Sequence, residues 1–270
     1  MSAIERTDTG RRDEERTGPL SGGALRAAAR THRGAVRPDN QDAFVCRPDL
    51  GLFAVIDGMG GQQAGRRAAE LAREALIAEG DPARGLVAAS ERICAAADTR
   101  PELHGMGCVA SALHIAAGVA RVAHVGDTRV YLAGAAGCEQ LTRDHTVAAS
   151  EQERLGLSHV LAWLLPGRNQ VTRDLGARHA PGAAWIDQLE VPLEPSALFL
   201  LCSDGLPSAV GTDELFDRLR ASRRAGSAPE ELADDLIGRA LQRGARDNVT
   251  AVVVRHEGEP APSGRRAEEA

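Results

Sequence analysis

The sequence predicts an α+β fold in which antiparallel sheets are layered against helices. Strand-like and helix-like segments come in runs and not in strict β-α-β alternation, and short glycine-containing turn signals separate consecutive strand candidates in the middle of the chain. A third observation bears on chemistry as well as fold: several apolar runs each deliver one aspartate into a turn.

Taken in order, Leu25 to Thr31, Asp42 to Arg47 and Leu52 to Asp57 read as short strands rich in Ala, Val, Leu and Phe. Gly65 to Ala78 and Pro82 to Ala97 then show the Ala/Leu spacing of helices, the second opened by proline at its first position. Val109 to Ile115, Val119 to Val125, Val130 to Ala133 and Glu139 to Leu141 follow, separated by Ala116-Ala117-Gly118, Gly126-Asp127 and Gly134-Ala135-Ala136-Gly137, and this rhythm predicts an antiparallel meander. A polar segment from Thr146 to Leu165, with two short helices, is expected to be a surface insertion. Beyond it, Ala184 to Val191 and Leu198 to Ser203 read as strands, Asp213 to Arg220 and Pro229 to Gln242 as helices, and Val249 to Arg255 as a final strand. No repeat is visible.

A chain of 270 residues without a Pro/Gly/Ser-rich linker at its centre reads as one domain, spanning 24–256. Residues 1–23 and 257–270, rich in Arg, Glu, Gly, Pro and Ser, are expected to be disordered tails. The net charge of −6 argues against nucleic acid as a partner, because such affinity rests on a basic face that neutralises phosphates. Five scattered cysteines without a CxxC pair fit neither a disulfide framework nor a zinc site, and a reducing cytoplasm is their expected home. With no apolar stretch near the ~20 residues of a membrane span, no membrane partner is expected, and the chain reads as a monomer.

Any single aspartate before a glycine is an ordinary turn former. Here Asp57, Asp127, Asp204 and Asp247 all sit beside apolar runs, and packed sheets can bring such strand ends to one rim. Without clustered His or Cys, an all-oxygen site favours hard divalent ions such as Mg²⁺ or Mn²⁺. Glycine beside the aspartate lets the backbone come close and turn a carbonyl toward an ion. A nucleotide-binding reading of Gly58-Met59-Gly60-Gly61 fails, since it has neither the lysine and hydroxyl of a Walker motif nor GxGxxG spacing.

The ordered set Arg37-Pro38-Asp39-Asn40-Gln41-Asp42, Asp57-Gly58-Met59-Gly60-Gly61, Gly105-Met106-Gly107, Val125-Gly126-Asp127-Thr128-Arg129, Leu141-Thr142-Arg143-Asp144-His145, Ser203-Asp204-Gly205-Leu206 and Asp247-Asn248-Val249-Thr250 resembles the motifs of the bacterial protein phosphatase 2C-type (PPM) family. The resemblance runs from about Ala27 to Arg255. It implies a metal-dependent serine/threonine phosphatase with a four-layer α-β-β-α sandwich of two antiparallel sheets flanked by helices. By position in the motifs, Asp57 would bridge two metals, the Gly58 carbonyl would bind one of them, and Asp204 and Asp247 would hold the other. Asp127, with Asp204, would form a weaker third site, and Asp42 would hold metal-bound waters from behind. Arg37 stands where the family keeps a guanidinium for the substrate phosphate, a planar fork suited to two oxygens. The implied partners are proteins phosphorylated on Ser or Thr, including a cognate Ser/Thr kinase.

Such hydrolysis needs a nucleophile at neutral pH and charge relief on the phosphoryl oxygens, which two ions ~3.5–4 Å apart supply through a bridging hydroxide. No side-chain nucleophile is then required, and Cys202, inside an apolar run, reads as core. Arg33 and Arg129 read as structural, and His145 as structural or positioning. Met59 stands where animal members carry a histidine, a candidate general acid. Cys108 replaces a usual threonine, Gln41 a frequent glutamate, and Asp174 a small residue. The Thr146 to Leu165 segment corresponds to the family's flap. Two other functions stay open at this level: a catalytically weak regulatory binding module, and a metallophosphatase for a small phosphorylated metabolite, which a deep pocket would support.

Overall fold

The structure is a computed structural model that describes residues 4–6, 14–18, 20–158, 161–162, 164–176 and 182–258. Its strands are β1 (Ile4–Arg6), β2 (Glu14–Thr17), β3 (Leu20–Gly22), β4 (Leu25–His32), β5 (Ala43–Arg47), β6 (Leu52–Met59), β7 (Gly107–Ala116), β8 (Val119–Val125), β9 (Arg129–Ala133), β10 (Cys138–Gln140), β11 (Asp187–Pro192), β12 (Leu198–Cys202) and β13 (Val249–His256). The helices are α1 (Gln62–Glu79), α2 (Pro82–Thr99), α3 (Val147–Leu155), α4 (Gly205–Val210), α5 (Thr212–Ala225) and α6 (Pro229–Gln242). One sheet has the order β1-β2-β4-β13-β12-β9-β10 with β3 paired to β4, the other β11-β8-β7-β6-β5, and every pairing is antiparallel.

Strands buried on both faces make this a four-layer sandwich, because successive side chains point to opposite sides. In β6, Leu52, Ala54 and Ile56 pack with the helix residues Ala68, Ala72 and Leu76, while Phe53 and Val55 face the other sheet. Likewise Leu198, Leu200 and Cys202 of β12 join the core under α5 and α6, and Phe199 and Leu201 meet Phe53 and Val55 in the middle layer. Full burial of a phenylalanine such as Phe199 contributes about 1.5–3 kcal/mol. Cys202 is core, as its setting predicts. The α+β sandwich and its antiparallel sheets are as expected.

Several elements differ from the sequence reading. Part of the expected N-terminal tail is sheet: β2 and β3 pair with β4, Ala29 donates its amide to Thr17 Oγ1 at 3.0 Å, and Arg30 Nη1 donates to the Thr17 carbonyl at 2.8 Å. These strands carry polar residues and are fastened by backbone and Arg30, so no apolar alternation announces them. Of the expected C-terminal tail, residues 259–270 lie outside the described residues. The expected meander is also divided, since β7 and β8 belong to one sheet and β9 and β10 to the other. Gly126-Asp127-Thr128 is therefore a crossing between sheets, and a turn-forming tripeptide looks the same in either role. Finally, residues 183–185 form a 3₁₀ turn ahead of β11, and α4 had no counterpart in the sequence reading. Among the described residues no helix is long and apolar enough to cross a membrane.

Candidate active site

The two sheets end together at one rim, and four strand-end aspartates meet there. Asp57 lies near the end of β6, Asp127 in the crossing from β8 to β9, Asp204 two residues after β12, and Asp247 two residues before β13. All four, with Arg37 and Gly58, line a cavity of about 460 Å³ that Met59, Gly60 and Gly61 also border. Close backbone packing shapes it. A Cβ on Gly58 would strike the backbone of Gly65 and Gln41, and Gly126, at φ 105°, lies against Val109 where a side chain has no room.

Arg37 Nη2 donates to Asp247 Oδ2 at 2.7 Å, and this bond raises the guanidinium further above its usual value. The predicted phosphate-binding arginine thus stands at the site, resting on one of the predicted metal ligands. Asp42 lies behind the cavity wall. Its Oδ2 accepts from Ser203 Oγ at 2.8 Å and from Thr250 Oγ1 at 2.5 Å, whereas its buried Oδ1 has no partner. A hydroxyl has one proton to give, so Thr250, donating to Asp42, must accept from Thr31 Oγ1 2.6 Å away, and Thr31 accepts from Asn40 Nδ2 at 2.8 Å. Donors in series therefore converge on one carboxylate oxygen and fix its direction.

Burial, and after it the neighbouring charges, push these carboxyls above their ordinary range: Asp42 and Asp127 to about 7, Asp204 to about 6, and Asp57 well upward, with Asp42, Asp204, Asp127 and Asp247 all contributing to the last. Carboxylates that raise one another in this way leave a site short of positive charge.

A sequence profile of the family Protein phosphatase 2C matches residues 30–249 of this chain. The chain belongs to the protein phosphatase 2C family. It is 31% identical over 247 residues to the serine/threonine phosphatase stp of Listeria welshimeri, a match covering 85% of this chain and 95% of that one. It is also similar in structure to the Mycobacterium tuberculosis serine/threonine phosphatase PstP/Ppp, with TM-score 0.77 and 30% identity, covering 87% of this chain and 99% of that one. A second solved structure, the catalytic domain of PstP in complex with two manganese ions, matches with TM-score 0.74 and 29% identity over 86% of this chain and 97% of that one.

The residues at this phosphatase rim fit a hard divalent cation. The donors are carboxylate and carbonyl oxygens, the carboxyls repel one another, and Asp42 Oδ1 is a buried oxygen without a partner. Among the described residues no three His, Cys, Asp or Glu side chains close into a cage.

Sequence reading placed Asp42 behind the site but missed its suppliers Ser203, Thr250, Thr31 and Asn40. It also missed Asn248, whose Oδ1 accepts the Gln41 amide at 2.9 Å and whose Nδ2 donates to the carbonyls of Arg33 and Asp39 at 3.0 and 2.9 Å, clamping the Arg37 loop to β13. Their partners lie up to 219 residues away, and the one available signal was a run of small polar residues at strand ends. Arg129 is held by Asp144, Nη2 to Oδ2 at 2.7 Å, and by Tyr131 Oη, the structural place its motif suggested. Cys108 is fully buried beside Leu175, and burial raises its thiol.

Proposed function

We infer that the chain hydrolyses phosphoserine and phosphothreonine in proteins, as a metal-dependent phosphatase of the protein phosphatase 2C family. The observation that carries this reading is the convergence of Asp57, Gly58, Asp127, Asp204 and Asp247 with Arg37 on one cavity. Bound divalent ions, Mn²⁺ or Mg²⁺, supply a water made nucleophilic at neutral pH and charge relief on the phosphoryl oxygens. In this reading Asp57, the Gly58 carbonyl, Asp204 and Asp247 would hold the two ions, with Asp57 shared between them, and Asp127 with Asp204 would hold a weaker third. Asp42, its Oδ2 fixed by two hydroxyls, offers Oδ1 to ordered water in front of it. Arg37, beside Asp247 at the same cavity, would bind the substrate phosphate, its planar fork suited to two phosphoryl oxygens.

The cavity shares Asp127 and Asp204 with an adjoining groove of about 660 Å³ that continues past Gln140, Arg143 and Arg168. A groove that continues the cavity in this way supports an extended phosphopeptide over a small metabolite, which a single closed pocket would suit. The partners are then phosphoproteins, among them targets of a Ser/Thr kinase that this enzyme opposes in the cytoplasm. The test is Mn²⁺-dependent hydrolysis of an aryl phosphate and of a phosphothreonine peptide by the wild type and by Asp57→Asn. Turnover of both, lost in the variant, is expected. No metal-dependent turnover would leave a regulatory binding module, and turnover of a metabolite but of no phosphopeptide would replace the protein substrate.

A further inference from the structure

His145 sits where three separate parts of the molecule meet. Its ring Nδ1 accepts the Gly126 amide at 3.0 Å, and its own amide donates to the Gly126 carbonyl at 2.7 Å. Gly126 takes a φ of 105°, which leaves the peptide beside Asp127 conformationally permissive unless something outside the turn holds it. Both polar groups of Gly126 are held by this one residue. His145 also closes the neck of the 146–171 excursion: its carbonyl accepts from Thr172 at 2.8 Å, Thr146 pairs with Val171, and Thr146 caps α3.

Because Nδ1 accepts an amide proton, the ring's own proton lies on Nε2, which donates to Asp187 Oδ2 at 3.0 Å. Asp187 Oδ1 accepts from Arg173 Nη1 at 2.8 Å, and that guanidinium lies over the Trp185 ring, 5.8 Å from its centroid. Arg173 Nη1 is also 3.3 Å from His145 Nε2, but two donors cannot bond each other, so both serve Asp187. Burial keeps the imidazole below its usual value, consistent with a neutral ring.

We propose that His145 is a positioning residue that couples the seating of the flap to the aim of Asp127, its Nδ1 holding the Gly126 amide and its Nε2 sharing Asp187 of β11 with Arg173, which follows the flap's returning end. Flap and metal loop cannot then move independently, and a peptide that shifts the flap reaches the Asp127–Asp204 position through this ring. The inference rests on the phosphatase reading above.

The two nitrogens can be separated by substitution. His145→Asn places an acceptor near the Nδ1 position and removes the tie to Asp187, whereas His145→Gln reaches toward Asp187 and leaves the Gly126 amide without its side-chain acceptor. In the full chain, with Mn²⁺ alone titrated by electron paramagnetic resonance, His145→Gln is expected to weaken the weakest Mn²⁺ site about 10–100-fold, the range for loss of a group that orients a ligand. His145→Asn and Asp187→Asn are expected to keep Mn²⁺ affinity and to raise KM for a phosphothreonine peptide while leaving KM for an aryl phosphate unchanged. Asp187 is half-exposed, so its variant tests the flap arm even if a His145 variant fails to fold. Parallel changes in both His145 variants, no change in either, or an unaltered peptide KM in Asp187→Asn would overturn the coupling. A wild type without Mn²⁺-dependent turnover would instead sink the phosphatase reading, while the Mn²⁺ titrations would still judge the loop arm.

Discussion

Asp127→Asn should stabilise the metal-free protein. In the fold the Asp127 carboxyl is raised from 3.8 to about 7, by burial first and then by Asp204 and Asp144. A folded value above the unfolded one means that the native state binds the extra proton between these limits, so stability falls as pH rises from about 4 to about 7. At pH 8 the full shift of about 3 units corresponds to about 4 kcal/mol at 1.36 kcal/mol per unit. Asp127 is partly exposed, and solvent screening reduces the figure to about 2 kcal/mol. Asparagine keeps the shape without the charge. In EDTA at pH 8, calorimetry should therefore show Asp127→Asn melting about 4–8 °C above wild type, at about 2–4 °C per kcal/mol for a chain of this size. The gain should shrink to about 1 kcal/mol or less at pH 5, where the native carboxyl is already protonated. Added Mn²⁺ at pH 8 should abolish it, because the cation relieves the same repulsion in the wild type. A variant no more stable than wild type in EDTA at pH 8, or one equally stabilised at both pH values, refutes the account of this rim as a self-repelling carboxylate cluster.

Arg37→Lys should not rescue Arg37→Ala: both should lower kcat/KM by at least about tenfold in steady-state assays, since an ammonium cannot present two parallel donors to a phosphate. Thr250→Val should cost about 1–3 kcal/mol in urea unfolding, because Asp42 loses one of two donors and Thr31 loses its acceptor inside the protein. His124 is held down to about 3 by burial and then by His145, so the unfolded state takes up its proton below about 6.5. Its contribution is complete above that pH and declines toward pH 3. His124→Gln should accordingly lose about 2 kcal/mol less than wild type between pH 7 and pH 5, measured by urea melts at both.

What the sequence made legible was what it carries locally. Leu52 to Asp57 and Leu198 to Ser203 are uninterrupted apolar runs, so their strands and terminal aspartates could be read without knowing their neighbours. β2 could not, because Glu15 and Thr17 are polar residues buried by a partner strand and by Arg30. α4 is a single short helix without a periodic face to detect. The donors to Asp42 are Ser203, just after β12, and Thr250 of β13, itself backed by Thr31 of β4, and no spacing rule links Thr31 to Thr250. The division of the expected meander was equally hidden, since register and sheet membership depend on contacts that a turn tripeptide does not encode.

The position of β13 has a consequence for how the enzyme comes into being. This last described strand lies inside its sheet between β4 and β12, so that Val249 pairs with His32 across most of the chain's length. Pairings so distant in sequence form late and slowly, because loop-closure entropy is lost before any contact is gained. Asp57 belongs to the first quarter of the chain and Asp247 to its final tenth, and neither can face the other until β13 has inserted. During synthesis the growing polypeptide therefore carries no assembled centre, and a product ending before Val249 should be inert, not partly active. Catalysis in this architecture certifies that synthesis has passed β13.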